Sequence, residues 1–144
     1  MGAWGNRNFE NDDALDFVGE LCEKNGNSIE LFTAINIVAE KDGEEGPDAI
    51  ESSCALVAIE FLAAANGSPS IDLPENAEDW LSRNDPLRMK EAGGQGVFPE
   101  QLRLLSIQAI EQITDNSELK ELWEESDEFA EWLSVLEDLR KRIS

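Results

Sequence analysis

Residues 48–67, DAIESSCALVAIEFLAAANG, read as a helix that belongs in the middle of a helical protein. Asp48 with Glu51 three residues later has the form of a capping box, with Asp in the place usually held by Ser or Thr. Asn66-Gly67 supplies the C-cap. Between these signals Ile50, Cys54, Val57, Ala58, Phe61, Leu62 and Ala65 recur at helical spacing and make this the most apolar helix of the chain. Its apolar run from Cys54 to Ala65 is broken by Glu60 and is far shorter than the ~20 residues a bilayer span requires. A buried central helix is expected, with no membrane partner.

Period-3.6 patterning continues on both sides of it, and no stretch alternates apolar and polar residues as a half-buried strand does. Upstream, a helix from about Asp12 to Lys24 places Ala14, Leu15, Val18, Leu21 and Cys22 on one face, and Asn25-Gly26 stops it. Ser28 caps a second helix that carries Ile29, Phe32, Ile35 and Val38 inward until Gly43. The segment Asp42 to Asp48, with two glycines and Pro47, is a loop. Downstream, residues 67–98 are irregular, punctuated by Pro69, Pro74, Pro86 and the Gly93–Gly96 run, with one short helix near Glu75 to Arg83. Pro99 at a first helical position opens a helix to about Thr114 with Leu102, Leu105, Ala109 and Ile113 inward. Asn116-Ser117 starts a turn of helix through Trp123. Asp127 begins a last helix to Arg142 with Phe129, Leu133, Leu136 and Ile143 inside. Arg140, Lys141 and Arg142 fall in its final turn, where positive charge complements the helix dipole. The expected fold class is all-α: a compact single domain over residues 1–144, of about six helices and no sheet, with an N-terminal arm at residues 1–11.

The electrostatics are extreme. The 144 residues hold 32 acidic and 11 basic side chains and no histidine, a formal charge of −21. A small soluble domain usually carries a magnitude of about 2–8. Such a field favours solubility and repels phosphate backbones and anionic lipid alike, so no nucleic-acid partner is expected. A basic protein or a cation is the ligand it steers inward. With 41% hydrophobic residues and a mean hydropathy of −0.39 the chain still has a core. No N-terminal stretch pairs basic residues with an apolar run, so no export signal is expected. Cys22 and Cys54 sit on two different helices without CxxC spacing and read as buried, reduced thiols, which fits a cytoplasmic location.

The opening MGAWGNRNFENDDALDF, residues 1–17, sets Trp4 between Gly2 and Gly5 and adds Phe9 as a second apolar anchor. Asn11 or Asp12 then caps the first helix. Trp4 either pins the arm to the core or lines a pocket together with Phe9, Asn11 and Asp12. This opening resembles a bacterial family, domain of unknown function 4259, whose members begin MGxWG and continue with a Phe, an Asn-Asp pair and a short helix. Here those elements are Met1, Gly2, Trp4, Gly5, Phe9, Asn11 and Asp12, and Arg7 stands where the family often has glycine. SELKELWEESDEFAEWLSVLEDLRKRI, residues 117–143, looks like the family's closing helices, with Trp123 and Trp132 as landmarks. The resemblance implies a small bacterial cytoplasmic helical protein and brings no catalytic residues.

The densest acidic run is Glu121, Glu124, Glu125, Asp127, Glu128 and Glu131. Spacing puts Glu121, Glu124 and Glu128 on one solvent-facing stripe, either a solvated face or a docking surface for a basic partner. Four tryptophans, a type favoured at interface hot spots, add to the docking reading. Enzymatic readings have less to stand on. Without histidine a Ser or Cys nucleophile lacks its usual base, and neither cysteine has a basic residue at helical contact spacing. Glu20 and Glu23 with Glu45 and Asp48 match paired ExxE and ExxD spacing for Mg²⁺, but Gly46 and Pro47 keep the second pair off a helix. The expectation is therefore a small acidic protein-binding module, immunity-like, that neutralises or docks a basic partner, with no cofactor. The alternative is a metal-dependent hydrolase using Asp12, Asp13, Asp16, Glu20 and Glu23 of the first helix.

Overall fold

The computed structural model describes residues 5–23, 28–41, 46–84 and 100–144. Among these residues there are seven helices and no strand: α1 (Asp12–Glu23), α2 (Ser28–Ala39), α3 (Ala49–Ala65), α4 (Glu75–Arg83), α5 (Glu100–Asp115), α6 (Glu118–Glu124) and α7 (Phe129–Ile143). The helix beyond about six is the short α6, cut from α7 by a Ser turn. The Ser126 hydroxyl donates to the Trp123 carbonyl at 2.9 Å, and Glu128 N donates back to Ser126 Oγ at 3.1 Å. The arm's residues 1–4, the helix stops at 24–27, the loop residues 42–45 and the Gly93–Gly96 run lie outside the described residues.

α3 is the axle of the fold. It packs against each of the other helices, and residues from Ser52 to Ala63 other than Cys54 are buried. Its ends follow the local signals. Glu51 N donates to Asp48 Oδ1 at 2.7 Å and Asp48 N donates to Glu51 Oε1 at 3.1 Å, which is the capping box. At the far end Ser68 N reaches the Ala63 carbonyl at 2.9 Å and Gly67 N the Ala64 carbonyl at 3.0 Å, with Gly67 at φ +91°. That is a Schellman stop, and glycine takes the left-handed backbone at little cost.

The start of α3 is also fastened to the start of α6. Glu118 N donates to the Pro47 carbonyl at 3.0 Å, and Ala49 N donates to Glu118 Oε1 at 2.8 Å. Gly46 permits this approach: its φ is +63°, and a Cβ there would stand 2.1 Å from the Asn116 carbonyl oxygen. The side-chain amides of Gln108 and Gln112 on α5 donate to the carbonyls of Ala39 and Lys41, closing the C-terminal end of α2. α1 and α2 flank α3, α4 rests on α1, and α5 and α7 complete the core.

Helix phases depart from expectation where a helix is apolar on more than one side. α2 buries Leu31, Ile35, Val38 and Ala39 and leaves Ile29 64% exposed, because its apolar residues fit two stripes and neighbours choose between them. Leu15 of α1 is likewise exposed. On α5 the buried set is Ser106, Ala109, Ile110 and Ile113, with Leu102 and Leu105 at its margin. On α7 Trp132, Leu136, Leu139 and Ile143 are buried, while Phe129 and Leu133 pack at the edge. Along the expected inner stripe of α3, burial rises from Ile50, 59% exposed, through half-buried Cys54 to fully buried Val57 and Phe61. No helix among the described residues is long and apolar enough to cross a membrane.

Candidate functional site

The described part of the arm folds into a tight local turn. Glu10 N donates to the Arg7 carbonyl at 3.0 Å and Arg7 N donates to Glu10 Oε1 at 3.1 Å. Phe9 enters the core and is 4% exposed, so it serves as the arm's anchor. Asn11, and not Asp12, caps α1: its Oδ1 accepts from Ala14 N at 2.8 Å, and Asp12 is the first, exposed residue of the helix. Trp4 lies outside the described residues.

Two asparagines of the arm make its long-range contacts. Asn6 Nδ2 donates to Glu128 Oε1 at 2.9 Å and to Glu131 Oε2 at 3.0 Å, so a neutral amide bridges two carboxylates at the start of α7. Asn8 is buried and donates to Glu60 Oε2 at 2.8 Å. Glu60, the charge in the middle of α3, is 1% exposed. A carboxylate so placed needs a charged partner, and Arg142 from the last turn of α7 provides it in fork geometry, at 2.7 Å to Oε1 and 2.9 Å to Oε2. The same guanidinium reaches Asp138 at 2.8 Å and the Ser68 carbonyl at 3.2 Å. Burial by itself lowers the Arg142 pKa, but the hydrogen bonds and charges of Glu60 and Asp138 outweigh it and hold the group above its ordinary value. Arg142 therefore clamps α7 to α3 through Glu60, the same carboxylate that holds Asn8 of the arm, a role beyond the dipole complement that its position in the sequence suggests. A cleft of about 520 Å³ opens beside it, with Asn6, Asn8, Ile71, Glu131, Asp138 and Arg142 among its walls.

The acidic run is exposed throughout: Glu121, Glu124, Glu125, Asp127, Glu128 and Glu131 all face solvent. It is not one helical stripe, because Glu121 and Glu124 lie on α6 whereas Glu128 is the residue that precedes α7. Lys120 pairs with Glu124 at 3.5 Å, an i,i+4 contact of the exposed kind that contributes little. Three of the four tryptophans do not belong to this surface. Trp80, Trp123 and Trp132 are buried, and Trp80 meets Phe61 edge to face with ring centroids 5.5 Å apart. Large aromatic area drew them into the core, which removes them from the docking argument.

The thiols are quiet. Cys22 is buried and Cys54 half-buried. Burial raises both pKa values, Cys54 to about 11 with further help from the carboxylates of Asp13, Asp48, Glu20 and Asp16. Of the carboxylates considered for a metal, Asp48 is engaged in capping α3 and Glu45 is outside the described residues. Among the described residues no group of three or more Asp, Glu, Cys or His side chains converges to hold an ion.

The fold and its arm thus define an acidic helical domain built around one central helix. The chain belongs to the family described as Domain of unknown function (DUF4259), whose sequence model matches residues 2–135. No curated protein and no solved structure matches it.

Proposed function

We propose that this protein is a binding module that docks a basic partner protein. The observation that supports it best is the corner between α6 and α7, where six carboxylates stand exposed within eleven residues, 121–131, of a chain whose formal charge is −21. A surface of this kind speeds encounter with a positive partner and sets its orientation more than it adds raw affinity. It repels nucleic acid and anionic lipid by the same field.

Recovery of the tagged protein from its native host at low ionic strength tests the reading. A single basic protein retained in stoichiometric amount and released by salt is the expected result. It should be lost from a variant carrying Glu121→Lys, Glu124→Lys and Glu128→Lys, whose exposed positions leave the core intact. An empty bait, or a partner indifferent to both salt and charge reversal, refutes the proposal.

A further inference from the structure

Besides the acidic corner, the surface carries an apolar groove between α1, α2 and α3. It measures about 400 Å³ and is lined by Phe17, Ala34, Ile37, Ile50 and Cys54, with Glu20, Glu30 and Glu51 also in its walls. Two isoleucines stand open there, Ile37 at 44% and Ile50 at 59%. The groove floor is the outer end of the α3 stripe that runs inward to Val57 and Phe61, so it presents core-type surface to solvent. On α2 the lining residues Glu30, Thr33, Ala34 and Ile37 keep helical spacing along one face.

We infer that this groove receives an amphipathic helix with a cationic margin, belonging to the basic partner proposed above, on which reading the inference rests. A helix that lies in an apolar groove does so with side chains at i, i+3, i+4 and i+7, which an open apolar floor such as this one receives. The rim chooses the charge. Glu20 stands on one wall and Glu30 on another, and Glu51 shares its charge with Lys41 at 3.3 Å. Asp13, Asp16 and Asp48 act on the same space, as their combined effect on the Cys54 thiol at the floor records. A second copy of the chain fits poorly, since it brings another −21 charges to an acidic rim.

The test uses the full chain, isotope-labelled, titrated at low salt with a Leu/Lys amphipathic helical peptide of about five turns and with a scrambled peptide of identical composition. The amphipathic peptide should shift the Ala34, Ile37 and Ile50 methyl signals and bind at least about tenfold tighter than the scrambled one. Ile37→Lys with Ile50→Lys, both at exposed positions, should abolish that difference. Shifts confined to Glu121, Glu124 and Glu128, equal for the two peptides, overturn the groove and leave charge docking standing. Absence of binding by either peptide counts against both readings. Concentration-dependent broadening of Ile37 and Ile50 without peptide, with a dimer in sedimentation, makes the groove a self-contact and overturns the inference.

Discussion

Arg142→Leu removes two of the three hydrogen bonds given to the Glu60 carboxylate and leaves only the Asn8 amide at 2.8 Å. Bonds to a charged group contribute about 1.5–3 kcal/mol each, and breaking a buried pair from one side costs about 3–5 kcal/mol because the orphaned charge stays behind. The adjoining cleft of about 520 Å³ admits water to the stranded carboxylate, which places the expected loss near the lower end, about 3 kcal/mol. Glu60→Leu should cost less, about 1–2 kcal/mol, since the guanidinium keeps Asp138 and the Ser68 carbonyl and is 16% exposed. The double variant leaves no buried charge unpaired, so it should be more stable than Arg142→Leu alone, with a coupling of about 2–3 kcal/mol. Urea unfolding of the four proteins gives the cycle directly. A loss below about 1 kcal/mol for Arg142→Leu, or a double variant equal to the sum of the singles, refutes the clamp.

Gly46→Ala should destabilise by at least about 2 kcal/mol, because it adds a left-handed alanine and a clash with Asn116, whereas Gly67→Ala, at φ +91° in open space, should cost about 1 kcal/mol; equal losses by thermal unfolding would remove the close approach from the account. The Cys54 thiol is neutral in the fold up to about pH 11 but ionises near pH 9 when unfolded. Its contribution to stability is thus fully present below about pH 9 and is lost as pH rises through about 11, a dependence that should vanish in Cys54→Ala, as alkaline denaturation would show. Thermal stability should rise with NaCl as self-repulsion is screened. Mg²⁺ or Mn²⁺ should do no more at matched ionic strength; an extra rise at sub-millimolar metal would instead favour the hydrolase reading of the α1 carboxylates.

Local signals were the legible ones. The Asp48–Glu51 box, the Asn66-Gly67 stop and the bounds of α4 each depend on a few neighbouring residues, and they stand where the sequence puts them. Phase was less legible where hydrophobicity surrounds a helix: nothing local to Ile29 tells that the neighbours cover Leu31 instead, or to Ile50 that the stripe it shares with buried Val57 begins outside the core. The clamp was hidden by distance, Arg142 lying 82 residues from Glu60. Its one local trace was Glu60 itself, a charge inside an apolar run that could not be buried alone. Composition counted four tryptophans without telling surface from core, and three of them are core.

Four of the six helices that pack on the central helix are made after it. α3 ends at Ala65, yet α5, α6 and α7, which lie against it, run from Glu100 to Ile143, and even its first turn donates a hydrogen bond to Glu118. At about 5–20 residues per second, the nearly 80 residues between Ala65 and Ile143 take roughly 4–16 s to synthesise. For that interval a nascent chain holds its most buried helix against α1, α2 and α4, with the faces met by α5, α6 and α7 still open. Synthesis thus leaves apolar faces of α3 that the finished fold covers open to solvent until α5 to α7 arrive.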